Sequence, residues 1–385
     1  MSVFPRHHGV LEALKNRARY RELIPRQGHD FASNDYIGLA GSDVLRQAGI
    51  DALNRGVPVG AGGSRLLRGN DAEHELLEHE AAAFFGVERT LFLGNGFVAN
   101  MAIFSTLPLK DDLVLYDEYI HASAHEGMRL GRATTQEFAH NDAADAARKI
   151  QAWRAQGNEG HIWIACEAVY SMDGDLAPVA ELYELAQQFG GTLIVDEAHA
   201  TGVFGDLGRG LTHEIARDPN VLALHTCGKA LGVSGALICG AAVLVETLIN
   251  KARGFVFSTA PSPLNAALVR AALNELQTNP KRQLAALEQL KQTHMLAKSI
   301  CGLDGLQSQI LPVIIGEDGP TMAIAKTMQD KGYDIRGIRP PTVPKGTARL
   351  RISITLNTPL DVIEQMFKDL SAEMKKQQLP EQANG

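Results

Sequence analysis

The feature that most constrains the fold is an alternation of short, solidly apolar segments with amphipathic helical segments, from about residue 72 to residue 249. Apolar residues at helical spacing predict helices, and short unbroken apolar runs predict strands that are covered on both faces. This order favours an α/β fold with a mostly parallel sheet. The predicted helices are 71–86, 97–107, 145–156 and 179–190, and the predicted strands are 90–94, 113–117, 162–170, 192–196 and 221–224.

The pattern changes after this region. Two long helical stretches, 262–278 and 281–300, lead into a smaller unit of strands and helices that ends near residue 376. The polar residues from Lys375 onward indicate a tail. We therefore predict three segments, an N-terminal arm at 1–40, a large α/β domain at 41–265 and a smaller C-terminal α+β domain at 266–385.

Composition and charge exclude several classes of protein. A net charge of −7 gives no electrostatic footprint for nucleic acid or for an anionic membrane. The most apolar stretch, 231–245, contains three glycines and is too short to span a bilayer. The N-terminus is amphipathic and is a poor secretory signal. The sequence thus predicts a cytoplasmic protein that binds neither nucleic acid nor membrane.

Two polar residues stand at the ends of predicted strands, where open α/β sheets bind their ligands. Asp196 ends the strand 192–196, and Lys229 follows the strand 221–224 among small and apolar residues. A desolvated lysine is a usable nucleophile, and a buried carboxylate can keep a pyridine nitrogen protonated. The pair therefore indicates a pyridoxal phosphate site, although Asp196 taken alone could simply cap the next helix.

A third motif, Gly-Asn-Gly-Phe at 94–97, closes a strand and opens a helix, whose first N–H groups can bind a phosphate. The segment 94–99 also fits the dinucleotide fingerprint Gly-x-Gly-x-x-Ala, and Asp117 ends the next strand, where a ribose-binding acid could lie. A nicotinamide oxidoreductase is therefore the rival hypothesis. It leaves Asp196 and Lys229 without a role, so we favour the pyridoxal phosphate site.

Two further patterns exclude other sites. The glycine-rich loop at 60–65 lacks the Gly-Lys-Ser/Thr ending of a P-loop, so it predicts a turn before the helix that Asp71 could cap. The cysteines stand at irregular spacings inside apolar segments and predict buried free thiols rather than a metal site. They are Cys166, Cys227, Cys239 and Cys301.

Seven segments, spread in order from residue 33 to residue 351, resemble one family. They are 33–39 (Ser-Asn-Asp-Tyr-Ile-Gly-Leu), 60–65 (Gly-Ala-Gly-Gly-Ser-Arg), 69–74 (Gly-Asn-Asp-Ala-Glu-His), 171–175 (Ser-Met-Asp-Gly-Asp), 195–202 (Val-Asp-Glu-Ala-His-Ala-Thr-Gly), 226–229 (Thr-Cys-Gly-Lys) and 346–351 (Gly-Thr-Ala-Arg-Leu-Arg). The chain resembles the α-oxoamine synthases, pyridoxal-phosphate-dependent acyltransferases of aminotransferase fold type I. The resemblance implies a large domain with a mostly parallel sheet, a smaller α+β domain, and a homodimer with shared active sites.

The resemblance also implies a role for each matching residue. Lys229 would carry the cofactor, and Asp196 would pair with its ring nitrogen. The other implied cofactor contacts are His121 on the ring, His199 and Ser171 near the phenolic oxygen, Asn95, Gly96, Phe97 and Thr226 at the phosphate, and Ser258 and Thr259 donated by a partner subunit. The implied substrate contacts are Arg351 at the amino-acid carboxylate, Thr342 and Arg21 at the acyl group, and Asn34.

Two segments narrow the implied activity. Gly-Val-Ser-Gly-Ala at 232–236 and Arg-Pro-Pro-Thr-Val-Pro at 339–344 are similar to those of the member that joins L-alanine to a pimeloyl thioester, on CoA or an acyl carrier protein, in biotin biosynthesis. Siblings that use glycine or serine share the other segments and remain alternatives. The family also includes subunits that have lost the lysine, but Lys229, Asp196, His121 and His199 are all present here. The sequence therefore predicts an active acyltransferase.

Overall fold

A computed structural model describes residues 3–376, which fall into two compact units. The larger unit comprises Asn34–Ser171 and Leu176–Ala285. The smaller unit comprises the described residues up to Ser33, Met172–Asp175, and those from Ala286 onward. The units do not coincide with the predicted segments, because the residues before Ser33 belong with the C-terminal residues and 266–285 belong with the larger unit. Most of the predicted tail lies outside the described residues.

The strands of the described residues are β1 (His29–Asp30), β2 (Arg89–Leu93), β3 (Leu113–Asp117), β4 (Thr134–Phe138), β5 (Ile162–Glu167), β6 (Thr192–Asp196), β7 (Val221–Thr226), β8 (Ala236–Gly240), β9 (Ile310–Gly316), β10 (Tyr333–Asp334), β11 (Arg336–Ile338) and β12 (Ala348–Ser353). The helices are α1 (Pro5–Asn16), α2 (Asp43–Asn54), α3 (Ala72–Phe85), α4 (Gly96–Thr106), α5 (Ala122–Leu130), α6 (Ala143–Ala155), α7 (Val179–Phe189), α8 (Ala242–Lys251), α9 (Arg253–Val256), α10 (Pro263–Thr278), α11 (Pro280–Cys301), α12 (Asp318–Asp330) and α13 (Leu360–Lys376).

The larger unit is built on a sheet of strand order β2-β8-β7-β6-β5-β3-β4. Only β8 runs antiparallel to its neighbours among the described strands of this sheet, so the mostly parallel sheet is confirmed. Strands β5, β6 and β7 are buried at every position, as expected for strands covered on both faces. Because parallel strands share one carboxyl edge, the last residues of β3, β5, β6 and β7 lie along the same edge of the sheet.

Short polar residues set the helix boundaries that frame this edge. The Asp71 side chain accepts a hydrogen bond from the Glu73 N–H at 2.9 Å and caps α3, as predicted. The Asn95 side chain caps α4 in the same way through the Val98 N–H at 2.9 Å. Helix α7 is followed by the capping residue Gly190, whose φ of 61° is left-handed and is easiest for glycine.

The smaller unit contains an antiparallel sheet of order β11-β12-β9, with β1 and β10 forming a separate parallel pair. Helix α13 buries an apolar stripe at spacings of three and four residues. Its buried apolar members are Ile363, Met366, Phe367, Leu370 and Met374. These side chains pack in one core with Leu311, Leu350 and Ile352 from the sheet. Strands and helices are thus combined in this unit, as the α+β prediction requires. Across residues 3–376, no helix is both long enough and apolar enough to span a bilayer.

Candidate active site

Lys229 lies in the turn after β7 and begins a chain of side-chain hydrogen bonds within the larger unit. Its Nζ is 2.6 Å from His199 Nε2, and His199 Nδ1 is 2.5 Å from the Tyr36 hydroxyl. The Tyr36 hydroxyl donates to Asn34 Oδ1 at 3.0 Å. Tyr36 and His199 are buried, whereas Lys229 is half-buried. The structure thus brings together Lys229, His199 and Asn34, and it adds Tyr36, which sequence reasoning missed.

Asn34 Oδ1, the acceptor at the end of this chain of hydrogen bonds, indicates which group donates in each bond. Because the Tyr36 hydroxyl gives its single hydrogen to Asn34, its oxygen can accept from His199 Nδ1–H. In that tautomer His199 Nε2 carries a lone pair and accepts from the Lys229 ammonium group. In this arrangement His199 orients the Lys229 side chain through Nε2.

Asp196 ends β6 and is 8% exposed. Its Oδ1 accepts from the Ala198 N–H at 2.9 Å, and its Oδ2 accepts from the Asn100 side-chain amide at 2.7 Å. The first contact caps the turn after β6, whereas the simpler interpretation of this carboxylate predicted a helix cap, and no α-helix follows directly here. The second contact ties the other oxygen to α4, so the carboxylate is fixed in orientation at the carboxyl edge of the sheet.

His121 precedes α5 and is exposed. Its Nδ1 is 2.7 Å from Ser123 Oγ and accepts from the Ser123 N–H at 3.2 Å. Partial burial lowers the pKa of His121, the negative charge of Asp196 opposes this shift, and the positive charge of Lys229 adds to it. The three predicted groups are therefore close enough for their charges to interact.

Two of the predicted phosphate-binding residues of the larger unit, Gly96 and Thr226, are in contact. Gly96 opens α4, and a Cβ atom added there would lie only 2.5 Å from Thr226 Cγ2, so Gly96 packs closely against Thr226 and a side chain at position 96 would clash. Phe97, by contrast, is 45% exposed. Ser258 and Thr259 are exposed and line a cavity of about 1300 Å³ together with Asn95. Gly96 and Thr226 thus meet at the N-terminus of α4, which suits an anion, and Ser258 and Thr259 face the cavity beside it.

The predicted substrate residues of the smaller unit lie in two places. Arg351 belongs to β12, is 7% exposed, and donates from Nη1 to Ser353 Oγ at 2.8 Å. Arg21 donates from Nη2 to Thr342 Oγ1 at 3.1 Å. Arg21 and Thr342 are 321 residues apart in sequence, yet the fold brings this predicted pair into contact. Ser171, the remaining predicted residue, is half-buried at the end of the first segment of the larger unit.

Sequence reasoning missed Glu167, which ends β5 directly opposite Asp196 in the parallel register. Glu167 is 2% exposed, and its Oε1 has no hydrogen-bond partner among the described residues. Burial, and next the charge of Asp196, raise the pKa of Glu167 well above its usual range. The strand-end rule that found Asp196 could have found Glu167, but the predicted strand 162–170 ran past it.

The structure contradicts the role that the nicotinamide hypothesis gives to Asp117 as a ribose-binding acid. Asp117 is fully buried and accepts hydrogen bonds from the Tyr119 N–H at 2.9 Å, His140 Nδ1 at 2.9 Å and the Asn141 N–H at 2.8 Å. Burial would raise the pKa of Asp117, but these donors outweigh it and lower the pKa. The carboxylate is therefore engaged inside the protein and has no access to a ribose.

Glu197 follows Asp196 and has a structural role. Its fully buried carboxylate accepts from the Thr212 N–H at 2.7 Å and the Leu211 N–H at 3.1 Å. A Cβ atom at Gly210 would lie 2.5 Å from this carboxyl group, and Gly210 has a φ of 91°. Glu197 thus anchors the loop at Leu211 and Thr212 to the end of β6.

We expect Glu197 to make the stability of the protein depend on pH. Burial raises the pKa of Glu197 to about 7, whereas an unfolded glutamate titrates near 4.3. Between these values the folded state binds more protons, so stability is highest below about 4.3, falls as pH rises, and levels off above about 7. The loss is at most about 4 kcal/mol. Urea unfolding at pH 5 and pH 8 should give a smaller difference for Glu197→Gln than for the wild type; equal differences would contradict this assignment.

The groups along this edge fit pyridoxal phosphate. The site offers an amine at Lys229, a buried and oriented carboxylate at Asp196, an exposed imidazole at His121, and the N-terminus of α4 at Gly96, where only glycine fits against Thr226. Among residues 3–376, no group of three or more His, Cys, Asp or Glu side chains is arranged to hold a metal ion. A mostly parallel sheet with these groups at its carboxyl edge defines a pyridoxal-phosphate-dependent enzyme of fold type I.

Comparison with known proteins gives the same class. The chain belongs to the aminotransferase class I and II family, which matches residues 26–366. The 8-amino-7-oxononanoate synthase of Herminiimonas arsenicoxydans is 38% identical over 362 residues, which cover 91% of each protein. These matches confirm the α-oxoamine synthase resemblance.

Two solved structures share the fold. The serine palmitoyltransferase of Sphingomonas wittichii superposes with a TM-score of 0.88 at 24% identity, over 98% of this chain and 100% of that one, which shows the fold alone. The 8-amino-7-oxononanoate synthase of Francisella tularensis gives a TM-score of 0.76 at 26% identity, over 91% of this chain and 99% of that one. The predicted fold class is therefore confirmed.

Proposed function

We propose that the chain condenses L-alanine with a pimeloyl thioester, releasing carbon dioxide and the free thiol and forming 8-amino-7-oxononanoate for biotin biosynthesis. The observation that carries this proposal is the oriented set of Lys229, His199 and Asp196 in a chain that matches enzymes of this name over nine-tenths of its length. The segments 232–236 and 339–344 favour the same reaction over its siblings.

The cofactor-binding residues follow from the site. Lys229 would hold pyridoxal phosphate covalently, Asp196 would pair with its ring nitrogen, and the turn at Gly96 with Thr226 would hold its phosphate. When bound, pyridoxal phosphate supplies an electron sink that stabilises negative charge at the Cα atom of an attached amino acid. A buried carboxylate such as Asp196 maintains that capacity, because it favours the protonated form of a neighbouring ring nitrogen.

The reaction itself assigns proton movements to the residues of the chain. The Lys229 amine removes the Cα proton of alanine, and later returns a proton to the product. His199 Nε2 lies 2.6 Å from this amine and can hold it in position between the two transfers. Arg351 offers a planar guanidinium to the alanine carboxylate, and the paired Arg21 and Thr342 would contact the acyl chain, whether CoA or an acyl carrier protein brings it.

We expect L-alanine to perturb the visible spectrum of the loaded enzyme at lower concentration than glycine or L-serine does. The measurement titrates the purified yellow protein with each amino acid separately, and borohydride should bleach it by fixing the cofactor to Lys229. A preference for glycine or L-serine would keep the family and reject this substrate. A protein that stays colourless with added pyridoxal phosphate would reject the cofactor site.

We also propose a homodimer. Ser258 and Thr259 resemble residues that a partner subunit contributes, and both are exposed. The cavity beside them is lined by exposed apolar side chains, Leu109, Leu130 and Phe257, which a soluble protein normally covers. Sedimentation equilibrium should therefore give twice the chain mass of 41.5 kDa; a monomer at micromolar concentration would contradict the shared site.

A further inference from the structure

We infer that Asn100 and Ser123 form a positioning bridge that joins Asp196 to His121 and fixes the proton of the His121 ring on Nε2. The inference rests on the proposed cofactor site, because it concerns how two of that site's side chains are held. Neither Asn100 nor Ser123 stood out in the sequence, and both are buried.

The amide of Asn100 supplies the first half of the bridge. Its Nδ2 donates to Asp196 Oδ2 at 2.7 Å and to Ser123 Oγ at 2.9 Å. An NH₂ group has two hydrogens, so both are engaged. Reversing the amide would set Oδ1 against a carboxylate oxygen, which disfavours that orientation. Asn100 therefore acts as a double donor of fixed direction from α4.

The hydroxyl of Ser123 supplies the second half. Its oxygen accepts from Asn100, so its own hydrogen is free to go to His121 Nδ1, 2.7 Å away. The Ser123 N–H donates to the same nitrogen at 3.2 Å. A ring nitrogen that accepts from donors carries no proton, so the neutral ring must be protonated at Nε2.

The bridge has two consequences for the site. It leaves Nε2–H as the donor that His121 presents to a ligand, and it stabilises the neutral ring, because a donor to Nδ1 is lost when that nitrogen is protonated. The titratable groups that act on His121 are Asp196, which favours its charged form, and Lys229 and His125, which disfavour it. The bridge thus adds to the effect of Lys229 and keeps a second positive charge away from the Asp196 carboxylate.

The test observes the His121 ring directly. Long-range ¹H–¹⁵N correlation spectra of ¹⁵N-histidine-labelled protein distinguish the two neutral tautomers, and His121→Gln identifies the signal. The wild-type holoenzyme should show the Nε2–H tautomer. Ser123→Ala leaves only the longer backbone N–H contact to Nδ1, so it should weaken the preference for the Nε2–H tautomer. It should also raise the pKa of His121 by roughly half a unit, a threefold change in the protonation equilibrium.

Two further variants distinguish the loss of the bridge from a non-specific disturbance of the structure. Asn100→Leu frees the Ser123 hydroxyl to rotate, so it should shift the tautomer signal in the same direction as Ser123→Ala. Ser105→Ala is the matched control, because Ser105 also lies on α4 but donates to the Met101 carbonyl oxygen. Unchanged His121 signals in Ser123→Ala, or an equal change in Ser105→Ala, would overturn the inference.

The failure of the bridge can be told apart from the failure of the proposed function. The tautomer can also be recorded in cofactor-free protein, where no turnover is required. A fixed Nε2–H tautomer in a protein that does not respond to L-alanine would support the bridge and reject the substrate. A mixed tautomer in a protein that turns over L-alanine would reject the bridge and leave the activity standing.

Discussion

Lys229→Ala is expected to abolish the condensation while leaving the fold intact. The substitution removes the amine that would both hold the cofactor and move the Cα proton, so the rate should fall by about four orders of magnitude or more. The side chain is half-buried and its short contact is to His199, so little packing is lost. Thiol release in the presence of L-alanine measures the rate, and circular dichroism with thermal unfolding measures the fold.

Lys149→Ala is the matched control for this experiment. Lys149 lies on α6 in the same unit, donates to the Glu137 carbonyl oxygen and pairs with Asp145, so its loss removes a lysine charge away from the candidate site. Its rate should stay within about twofold of the wild type. Normal turnover by Lys229→Ala would contradict the proposed role of the amine. Borohydride treatment should also fail to fix the cofactor to Lys229→Ala.

The larger unit could be predicted from the sequence where burial dominates. Strands β3, β6 and β7 are apolar runs, and the predicted and observed strands agree to within a few residues. Strand β4 was missed, because Thr-Thr-Gln-Glu-Phe lies at the sheet edge and only Phe138 is buried. At an edge the neighbouring strand, rather than the sequence pattern, decides the structure.

The site was predictable where one residue carries a distinct chemical signal. Asp196 and Lys229 follow strands, and a charged residue at that point is informative by itself. Tyr36 and Asn100 were missed, because their roles depend on partners 163 and 96 residues away. For a polar side chain inside an apolar helix or loop, the spacing of residues in the sequence does not predict which distant residue it will contact. The hydrogen-bond chains at both His199 and His121 therefore required the structure.

Asp196→Asn is expected to cost far more in rate than in stability. Asparagine can still accept from the Ala198 N–H through Oδ1, but its amide would face the Asn100 amide, donor against donor. Such a mismatch costs about 1–3 kcal/mol of folding free energy. Without the negative charge, nothing on β6 favours a protonated ring nitrogen, and kcat should fall by roughly a thousandfold. The rate should be measured at saturating pyridoxal phosphate, so that weaker cofactor binding by the variant does not lower the measured kcat.

Asp112→Asn separates a missing charge from a damaged fold. Asp112 is also a buried aspartate, and it accepts from Trp163 Nε1 at 3.0 Å and from the Leu109 N–H at 2.7 Å. It precedes β3 and so lies at the amino edge of the sheet, opposite the candidate site. Urea unfolding should show comparable losses of stability for both variants, whereas only Asp196→Asn should lose its rate. If Asp196→Asn instead retained its rate and lost only stability, the carboxylate would be a cap for the turn after β6, and the ring nitrogen would need another partner.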